Sequence, residues 1–330
     1  MAIQITIIGL GQIGTSIGLA LAKHTATVKR VGFDKALEVQ NKAKSLGALD
    51  ATHFNLPAAM EGADVVLLCI PLDQMEETLK LIAPDLREHA VVMDFSSQKA
   101  LVHKWFMQHV AAGRHYIGLV PSINPAFMEQ NRAGIESARA DLFEKASFGI
   151  AAPAGTPAEA LKLADDLATL VGAQSIFLDM LEADGMLMTA HLLPQAMAAA
   201  LLNATIDQPG WTEARRFAGK PYAQASAALG NDSQHALALG LLNNPITALN
   251  ALDNAIGALT HIRAAVQSGN QADLEKRLEV AFNDREKWLN ERERAEWLVK
   301  DEKSGMPQAT DALKRIFLGG RSADKKDKKK

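Results

Sequence analysis

The stretch that decides the fold is Ile7-Ile8-Gly9-Leu10-Gly11-Gln12-Ile13-Gly14. An apolar run precedes it, and a helical pattern over Ile13–Lys23 follows. In a G-x-G-x-x-G turn the first glycine permits a tight turn, the second lets the backbone approach a pyrophosphate, and the third allows close packing of helix on strand. The helix then offers free N–H groups and the positive end of its dipole to phosphates. The stretch predicts a dinucleotide site, and the alternative is a turn that needs glycine for its geometry alone.

An acidic residue supports the dinucleotide prediction. Asp34 lies 20 residues after Gly14, at the end of a second predicted strand, where a carboxylate binds ribose hydroxyls. It favours NAD, because it would repel the 2′-phosphate of NADP, but the adjacent Lys35 could accept that phosphate. NAD is the expected cofactor and NADP stays open. The predicted cofactor-binding residues are Gly9, Gly11, Gln12, Ile13, Gly14, Asp34, Lys35, Cys69, Ile70 and Pro71.

The segment Cys69-Ile70-Pro71 belongs to this set because it ends a further predicted strand, whose carboxyl end should border the cofactor crevice. Cys69 has no activating neighbour in the sequence, so we expect an inert, buried thiol. As the only cysteine, it excludes an internal disulfide framework and a Cys-rich zinc site, and no metal is expected. A reducing, cytoplasmic setting fits best.

Short β-rich runs alternate with helical patterns as far as residue 178. Apolar strands separated by helices of about 10–15 residues predict a parallel sheet covered on both faces. The expected strands are Gln4–Ile8, Val28–Phe33, Val65–Ile70, Ala90–Met93, Tyr116–Leu119, Phe148–Ala151 and Ser175–Leu178, and the expected helices are Ile13–Lys23, Leu37–Ser45, Asp73–Ile82, Leu101–Val110 and Ala158–Leu170. After Asp179 the chain is rich in Ala and Leu at helical spacing. We predict an α/β, Rossmann-like dinucleotide-binding domain over 1–180, an all-helical domain over 181–320 and a disordered basic tail over 321–330.

The charge balance limits the possible partners. The 330 residues carry 38 Asp and Glu against 35 Lys and Arg, a net charge of −3, which argues against a nucleic-acid binder. Two uncharged segments, Gly185–Ile206 and Ser233–Leu252, approach the ~20 residues that span a bilayer. Polar groups such as His191 and Asn243-Asn244-Pro245 would be costly in hydrocarbon. We therefore expect helices buried in the core or in a subunit interface, with no membrane partner.

Three further segments resemble the prephenate/arogenate dehydrogenase family, and the similarity runs from Ile5 to about Trp288. The stretch Asp94-Phe95-Ser96-Ser97-Gln98-Lys99 is similar to the family's D-x-x-S-x-K, Gly134–Phe143 looks like the segment after its catalytic loop, and Ala190–Gln195 resembles its S-H-L-P-H helix. The resemblance implies a dinucleotide-binding domain joined to a helical dimerisation domain, and hence a homodimer. It also implies NAD-dependent oxidation of a ring hydroxyl with loss of a carboxylate and aromatisation, a step of tyrosine biosynthesis.

The chain departs from the family pattern at two functional positions. In the family a histidine in a G-x-H-P motif acts on the hydroxyl, and here Val120 stands at that place in Gly118-Leu119-Val120-Pro121. The family's substrate-binding arginine corresponds to Gln224. Valine cannot exchange a proton, and glutamine lacks the charged fork with which arginine binds carboxylates. Because a lost general base commonly costs ~10²–10⁴ in rate, either other residues take over or the substrate differs.

Three residues are catalytic candidates in place of the histidine. Ser97 follows a strand end and could bond the substrate hydroxyl or the nicotinamide, or it could be the N-cap of the next helix. Lys99 is a candidate acid/base or carboxylate partner, with a solvated helix charge as the alternative. His191 is either an active-site residue, as the resemblance implies, or a satisfied core histidine.

The substrate-binding candidates are Asn124 and Gln224. Asn124 follows the lost histidine position and could donate to a substrate oxygen, although an Asn-Pro turn explains it equally well. Further cations that could bind an anionic substrate, or form a solvated helix face, are Arg215, Arg216 and Lys220. The charged stretch that includes Arg292 and Arg294 is expected to be an exposed helix face.

These features favour an NAD(P)-dependent dehydrogenase that resembles prephenate dehydrogenase and acts on a small, anionic substrate. Two alternatives stay open. One is an oxidoreductase for a different hydroxyl, carbonyl or imine substrate, and the other is a catalytically inactive nucleotide-binding sensor. The intact glycine motif does not distinguish between them, because both would keep the cofactor fold.

Overall fold

Eight strands form one continuous sheet in this computed structural model, which describes residues 2–128 and 134–294. The strands are β1 (Ile3–Ile8), β2 (Val28–Phe33), β3 (Ala51–Thr52), β4 (Val65–Leu68), β5 (Val91–Asp94), β6 (His115–Pro121), β7 (Ser147–Ala151) and β8 (Gln174–Leu178). Their order across the sheet is β3-β2-β1-β4-β5-β6-β7-β8. The chain builds the sheet outward from β1 in one direction as far as β3 and then in the other direction from β4. This reversal of strand order leaves a crevice at the carboxyl ends of β1 and β4, where ligands bind in sheets of this kind.

Both faces of the sheet are covered by helices. These are α1 (Gln12–Ala20), α2 (Leu37–Ser45), α3 (Leu56–Met60), α4 (Met75–Ile82), α5 (Lys99–His109) and α6 (Ala158–Leu170). Alternate residues of β4 enter different apolar clusters, with Val65 and Leu67 on one face and Val66 and Leu68 on the other. Period-2 alternation between two apolar faces is the geometry of a doubly covered strand. The predicted Rossmann-like α/β class is confirmed.

One strand direction differs from the prediction. β7 runs antiparallel to β6, with Gly118 opposite Ala151 and Pro121 opposite Phe148, so the expectation of an all-parallel sheet is wrong at this pair. A parallel neighbour needs a crossover, usually an α-helix, and the described part of the β6–β7 connection contains only two short 3-10 turns. The two-residue strand β3 was also not predicted, because its length carries no periodicity.

The region after β8 is helical throughout its described part. Its elements are α7 (Met180–Leu187), a π-turn (Met188–Leu192), α8 (Leu193–Ile206), α9 (Trp211–Ala214), α10 (Lys220–Ser226), α11 (Gln234–Asn243), α12 (Pro245–Ser268) and α13 (Gln271–Arg294). α7 begins where the Asp179 carboxylate accepts hydrogen bonds from the N–H groups of Leu181 and Glu182. The division into domains over 1–180 and 181–320 stays a prediction, and the predicted tail over 321–330 lies outside the described residues.

The first helical segment of this region is unusually apolar. By length and composition alone, Met180–Ile206 is long and apolar enough to cross a membrane, and 22% of its most apolar window is buried. Most of this window is therefore not buried within a single chain, and burial of the two uncharged segments in a subunit interface stays a prediction. Ile206 and Leu242, one from each segment, are both exposed.

The last described helix returns to the sheet. Most side chains of α13 are exposed, as predicted for this charged stretch, but Arg292 is only 8% exposed and corrects that prediction. Its guanidinium donates to Ser122 Oγ at 3.2 Å and to the Ile123 carbonyl at 2.6 Å. Arg292 thus anchors the end of α13 to the loop that follows β6. Its two partners precede it by 170 and 169 positions in the sequence, so no local pattern can reveal the contact.

Candidate active site

The glycine turn connects β1 to α1 in the conformation that its sequence predicts. Gly9 has a φ of +92°, and a Cβ placed on it would lie 2.3 Å from the Cys69 carbonyl oxygen. A Cβ on Gly14 would lie 2.0 Å from the Gly9 carbonyl oxygen, so this residue lets α1 pack against the turn. A side chain is excluded at both positions because it would strike backbone atoms of the protein itself.

Gly11 differs from the other two glycines because a Cβ placed on it would meet nothing within 4 Å. It is the N-cap of α1, no side chain caps this end, and the first turn of the helix contains no acidic residue. The N–H groups at Gln12 and Ile13 therefore lack a capping side chain at the positive end of a nine-residue helix, and the space over Gly11 is open. This arrangement fits a pyrophosphate, for which a bare backbone surface and free donors are the required features.

Asp34 lies beside the turn at the end of β2. Its two carboxylate oxygens accept hydrogen bonds from the N–H groups of Leu10 at 2.8 Å and Ala36 at 2.9 Å. These bonds fix the carboxylate, and the remaining lone pairs can still accept from ribose hydroxyls. Lys35 is exposed, and its Nζ lies 3.5 Å from Gln74 Oε1. The fixed carboxylate fits NAD better than the 2′-phosphate of NADP.

The segment Cys69-Ile70-Pro71 forms the opposite wall of the turn. The Cys69 carbonyl and the Ile70 side chain are the atoms that a Cβ on Gly9 would strike. Burial, together with the nearby Asp94 carboxylate, raises the pKa of the Cys69 thiol far above its ordinary value. The thiol therefore stays protonated, in agreement with the inert role expected from the sequence.

Lys99 does not reach the crevice, which corrects the prediction of an acid/base lysine. Its side chain is fully buried, and Nζ donates to the Ser96 carbonyl at 2.7 Å and lies 3.4 Å from the Asp94 carboxylate. The stem crosses Gly118, where an added Cβ would lie 2.5 Å from Lys99 Cδ. Burial lowers the pKa of Lys99 against the opposing effect of Asp94. Lys99 is a structural cation that neutralises a buried carboxylate.

Ser97 lies at the contact between the two halves of the chain. It is buried, and its Oγ faces α11, where an added Cβ on Gly240 would approach it to 3.7 Å. The alternative N-cap role is not observed, because the N–H groups of Lys99 and Ala100 donate to the Asp184 carboxylate of α7. No described residue hydrogen bonds to the Ser97 hydroxyl, which leaves it available to a ligand.

His191 lies in the π-turn between α7 and α8, a helix irregularity often found at functional sites. Its Nε2 is 2.7 Å from an Asp232 carboxylate oxygen, and the same oxygen accepts from Gln195 Nε2 at 2.8 Å. The His191 side chain is 37% exposed, so it is not a core histidine. The next residue, Leu192, packs on Gly240, the residue that faces Ser97. The sequence did not indicate Asp232, because its only local signal is a position just before the N-cap of α11.

Known proteins resemble this chain in sequence and in fold. Residues 17–177 match the family model for the nucleotide-binding domain of prephenate dehydrogenase. Cyclohexadienyl dehydrogenase of Zymomonas mobilis is 30% identical over 199 residues, which is 60% of this chain and 66% of that protein. Prephenate dehydrogenase of Lactococcus lactis is 29% identical over 201 residues, which is 60% of this chain and 53% of that protein.

The nucleotide-binding part of the chain, residues 17–177, belongs to the prephenate/arogenate dehydrogenase family. The crystal structure of prephenate dehydrogenase from Aquifex aeolicus has the same fold, with a TM-score of 0.71 and 20% identity over 86% of this chain and 99% of that one. The structure of that enzyme with hydroxyphenyl propionate and NAD⁺ gives a TM-score of 0.74 and 20% identity over 87% of this chain and 98% of that one. The predicted family and its nucleotide-binding domain are confirmed.

Val120, which the resemblance places at the position of the family histidine, has no titratable group. Val120 lies in β6 and packs over Gly149 of β7, whose added Cβ would lie 3.0 Å from Val120 Cβ. The Asn124 side chain makes the structural contacts that the alternative prediction, an Asn-Pro turn, anticipates. Its Oδ1 accepts from the Ala126 N–H at 3.1 Å and its Nδ2 donates to the Asp141 carbonyl at 3.2 Å. The amide thus caps the turn through its oxygen and joins it to Asp141 through its nitrogen, a structural role, and the substrate contact stays a prediction.

The predicted substrate residue Gln224 is exposed on α10, and its side chain hydrogen bonds to no described residue. The cations Arg215, Arg216 and Lys220 are exposed on the same α9–α10 segment. Across residues 2–128 and 134–294, no three His, Cys, Asp or Glu side chains come together as a candidate metal site. The chemistry available at the site therefore consists of a hydroxyl at Ser97, an imidazole at His191 and the nucleotide turn.

Proposed function

We propose that this protein is an NAD-dependent dehydrogenase that oxidises the ring hydroxyl of a prephenate- or arogenate-like cyclohexadiene. The observation that carries the proposal is the glycine turn with its fixed Asp34 carboxylate in a chain of this family. In this reaction the carbinol carbon loses a hydride, the hydroxyl loses a proton, and the bond to the ring carboxylate breaks to release CO₂. The electron pair of that bond completes the aromatic ring.

The cofactor would be held by the glycine turn and Asp34, with Ile70 and Pro71 along the opposite wall. NAD supplies the hydride acceptor when it is bound. The chain itself must bind the two phosphates through the N–H groups around Gly11 and the ribose through Asp34. Because this carboxylate is fixed by two backbone donors, we expect NAD to be used in preference to NADP.

The proton of the substrate hydroxyl needs an acceptor, which Val120 cannot be. We assign that role to His191, whose Nδ1 hydrogen bonds to no described residue and whose side chain is partly exposed. The unpaired hydroxyl of Ser97, on the other side of Gly240, is the proposed hydrogen-bond partner of the same substrate oxygen. The exposed cations of the α9–α10 segment are the proposed attraction for the anionic substrate, with Gln224 as a neutral contact among them.

A cytoplasmic homodimer is part of the proposal. The helical region leaves a large share of its apolar side chains exposed in a single chain, among them Ile246, Leu249 and Ile256 of α12. Contiguous apolar surface of this kind marks an interaction site, and a second copy presents an identical apolar face.

The test is an assay of the purified protein with NAD or NADP and either prephenate or arogenate, followed by the absorbance of the reduced nicotinamide. We expect reduction of NAD with release of CO₂, and slower reduction of NADP. The matched control is Gly11→Val, which should keep the fold and lose turnover because it fills the space over the turn. Cofactor binding with neither substrate consumed would contradict the proposal. Because Val120 replaces the family histidine, that result would favour a different substrate or a nucleotide sensor.

A further inference from the structure

We infer that Asp232 is a positioning residue that holds His191 in the one orientation and tautomer in which the imidazole can accept the substrate proton. The inference rests on the proposed function, because it concerns the same hydroxyl oxidation. It goes beyond that function by naming the carboxylate that orients His191, the residue proposed to accept the proton in place of the family histidine. No local sequence pattern connects the two residues, which are 41 positions apart.

The geometry is that of an imidazole oriented by a carboxylate. His191 Nε2 lies 2.7 Å from Asp232 Oδ2, and the Asp232 side chain is only 16% exposed against 37% for His191. A second donor, Gln195 Nε2, lies 2.8 Å from the same oxygen and 3.1 Å from the His191 carbonyl. Gln195 therefore ties the carboxylate to the backbone of the histidine that it orients.

The charge on Asp232 agrees with this role. Burial alone would raise the pKa of Asp232, but the hydrogen bonds from His191 and Gln195 outweigh burial and lower the pKa below its ordinary value. The carboxylate is thus ionised at neutral pH and can only accept hydrogen bonds. A neutral His191 must then carry its proton on Nε2, which leaves the lone pair on Nδ1.

That tautomer matches the proton transfer that the reaction needs. Nδ1 accepts the proton of the ring hydroxyl as the hydride leaves the carbinol carbon for the nicotinamide. The imidazolium then donates through Nε2 to the Asp232 carboxylate, which stabilises its positive charge. When CO₂ leaves, the electron pair flows through the ring to the oxygen, and the proton on Nδ1 returns there to give the phenol. Protons and electrons balance without a further reactant.

Gln195 provides a second reason to assign function to the cluster. It is 1% exposed, and its Oε1 is buried with no donor among the described residues. A buried acceptor without a partner is unfavourable for the folded state. The amide is held in this orientation because its nitrogen serves Asp232 and the His191 carbonyl. Gln195 Oε1 is therefore left without a donor in the orientation that lets Gln195 Nε2 hold the Asp232 carboxylate.

The test compares Asp232→Asn, Asp232→Glu and wild-type enzyme with NAD and the cyclohexadiene substrate. We expect Asp232→Asn to lower kcat by about 10²-fold, with KM changed by less than about twofold, and Asp232→Glu to recover part of kcat. The matched control is Glu76→Gln, which breaks a second His–carboxylate pair, Glu76 Oε1 to His109 Nε2 at 3.0 Å, and should leave kcat unchanged. Circular dichroism checks that each variant is folded.

Imidazole ¹⁵N NMR of the free protein supplies a readout that does not depend on turnover. The signal of His191 among the nine histidines is identified by its loss in His191→Gln. We expect the Nε2–H tautomer in the wild type and a mixture of tautomers in Asp232→Asn. A wild-type mixture, or an Asp232→Asn variant with wild-type kcat, would overturn the inference. A wild type that keeps the Nε2–H tautomer and consumes neither substrate would count against the proposed function alone.

Discussion

At the scale of single residues, two glycines of the same turn have different physical reasons to be glycine. A Cβ on Gly14 would strike the Gly9 carbonyl at 2.0 Å, whereas a Cβ on Gly11 would meet nothing within 4 Å. The first glycine is required by the protein and the second by the ligand. Substitution by alanine should therefore separate stability from nucleotide binding.

We expect Gly14→Ala to lower both the free energy of unfolding and the affinity for NAD, because α1 must move away from the turn. Overpacking of this kind typically costs about 1–3 kcal/mol. Gly11→Ala should leave the free energy of unfolding within about 0.5 kcal/mol of wild type and weaken NAD binding alone. Urea unfolding and calorimetric titration with NAD provide the two measurements. An unchanged affinity in Gly11→Ala would contradict the position assigned to the pyrophosphate.

The residue scale is also where prediction from sequence was least complete. The glycines could be identified because one short loop contains all three, and Asp34 because it follows them at a fixed spacing. Lys99 could not be interpreted correctly, because its burial against Asp94 depends on where α5 meets β6. The pair of His191 and Asp232 joins positions 41 residues apart, and such contacts exist only once the helices are packed. A motif contained in one turn is therefore readable, and a site assembled from several elements is not.

At the scale of elements, the apolar patterns located every predicted strand and five of the helices to within a few residues. What they could not supply was direction. The antiparallel pairing of β7 with β6 follows from a connection without a crossover helix, and the same apolar run would suit either direction. The burial of Arg292 has a similar origin, since α13 returns to the loop after β6 only in the folded chain.

One buried guanidinium joins three elements near the cofactor turn. Arg30 of β2 is 4% exposed, pairs with Asp50 before β3, and donates to the carbonyls of Gly18 in α1 and Gly47 after α2. The hydrogen bonds from Arg30 hold the pKa of Asp50 below its ordinary value of 3.8, against the smaller effect of burial. A carboxyl whose folded pKa is lowered contributes stability at neutral pH and loses it as pH falls through that pKa.

The substitution Asp50→Asn should therefore lower the free energy of unfolding at neutral pH and change it little in acid. We expect a loss of about 1–2 kcal/mol at neutral pH, a value discounted because the carboxylate is partly exposed. The difference from wild type should shrink as pH falls below about 4, where wild-type Asp50 also loses its charge. Urea unfolding across this pH range is the measurement, with Asp273→Asn on exposed α13 as the control. A difference that does not depend on pH would show that the ion pair is not its source.

At the scale of the whole molecule, exposed apolar surface is concentrated in the helical region. Of the 22 large apolar side chains exposed in the described part of the chain, 15 follow residue 180. Ile246, Leu249, Ile256, Leu259 and Val266 form one broad stripe along α12. Only 22% of the most apolar window of Met180–Ile206 is buried. A stripe and a helix of this character are covered in a stable protein, and an isologous contact with a second copy would cover both subunits at once.

The proposed dimer can be tested by placing charge on the apolar stripe of α12. We expect wild-type protein to sediment at twice the mass of the chain, and Ile256→Arg with Leu259→Arg to sediment as a monomer, because two buried cations would lack partners in the interface. Phe54→Arg is the matched control, since Phe54 is an exposed apolar residue of the nucleotide-binding half and should leave the dimer intact. Circular dichroism separates dissociation from unfolding. A monomeric wild type would contradict the assignment of a dimer. A wild type that floats with lipid vesicles would also contradict it and would assign Met180–Ile206 to a membrane surface, because an apolar face covered by a second copy is not free to bind lipid.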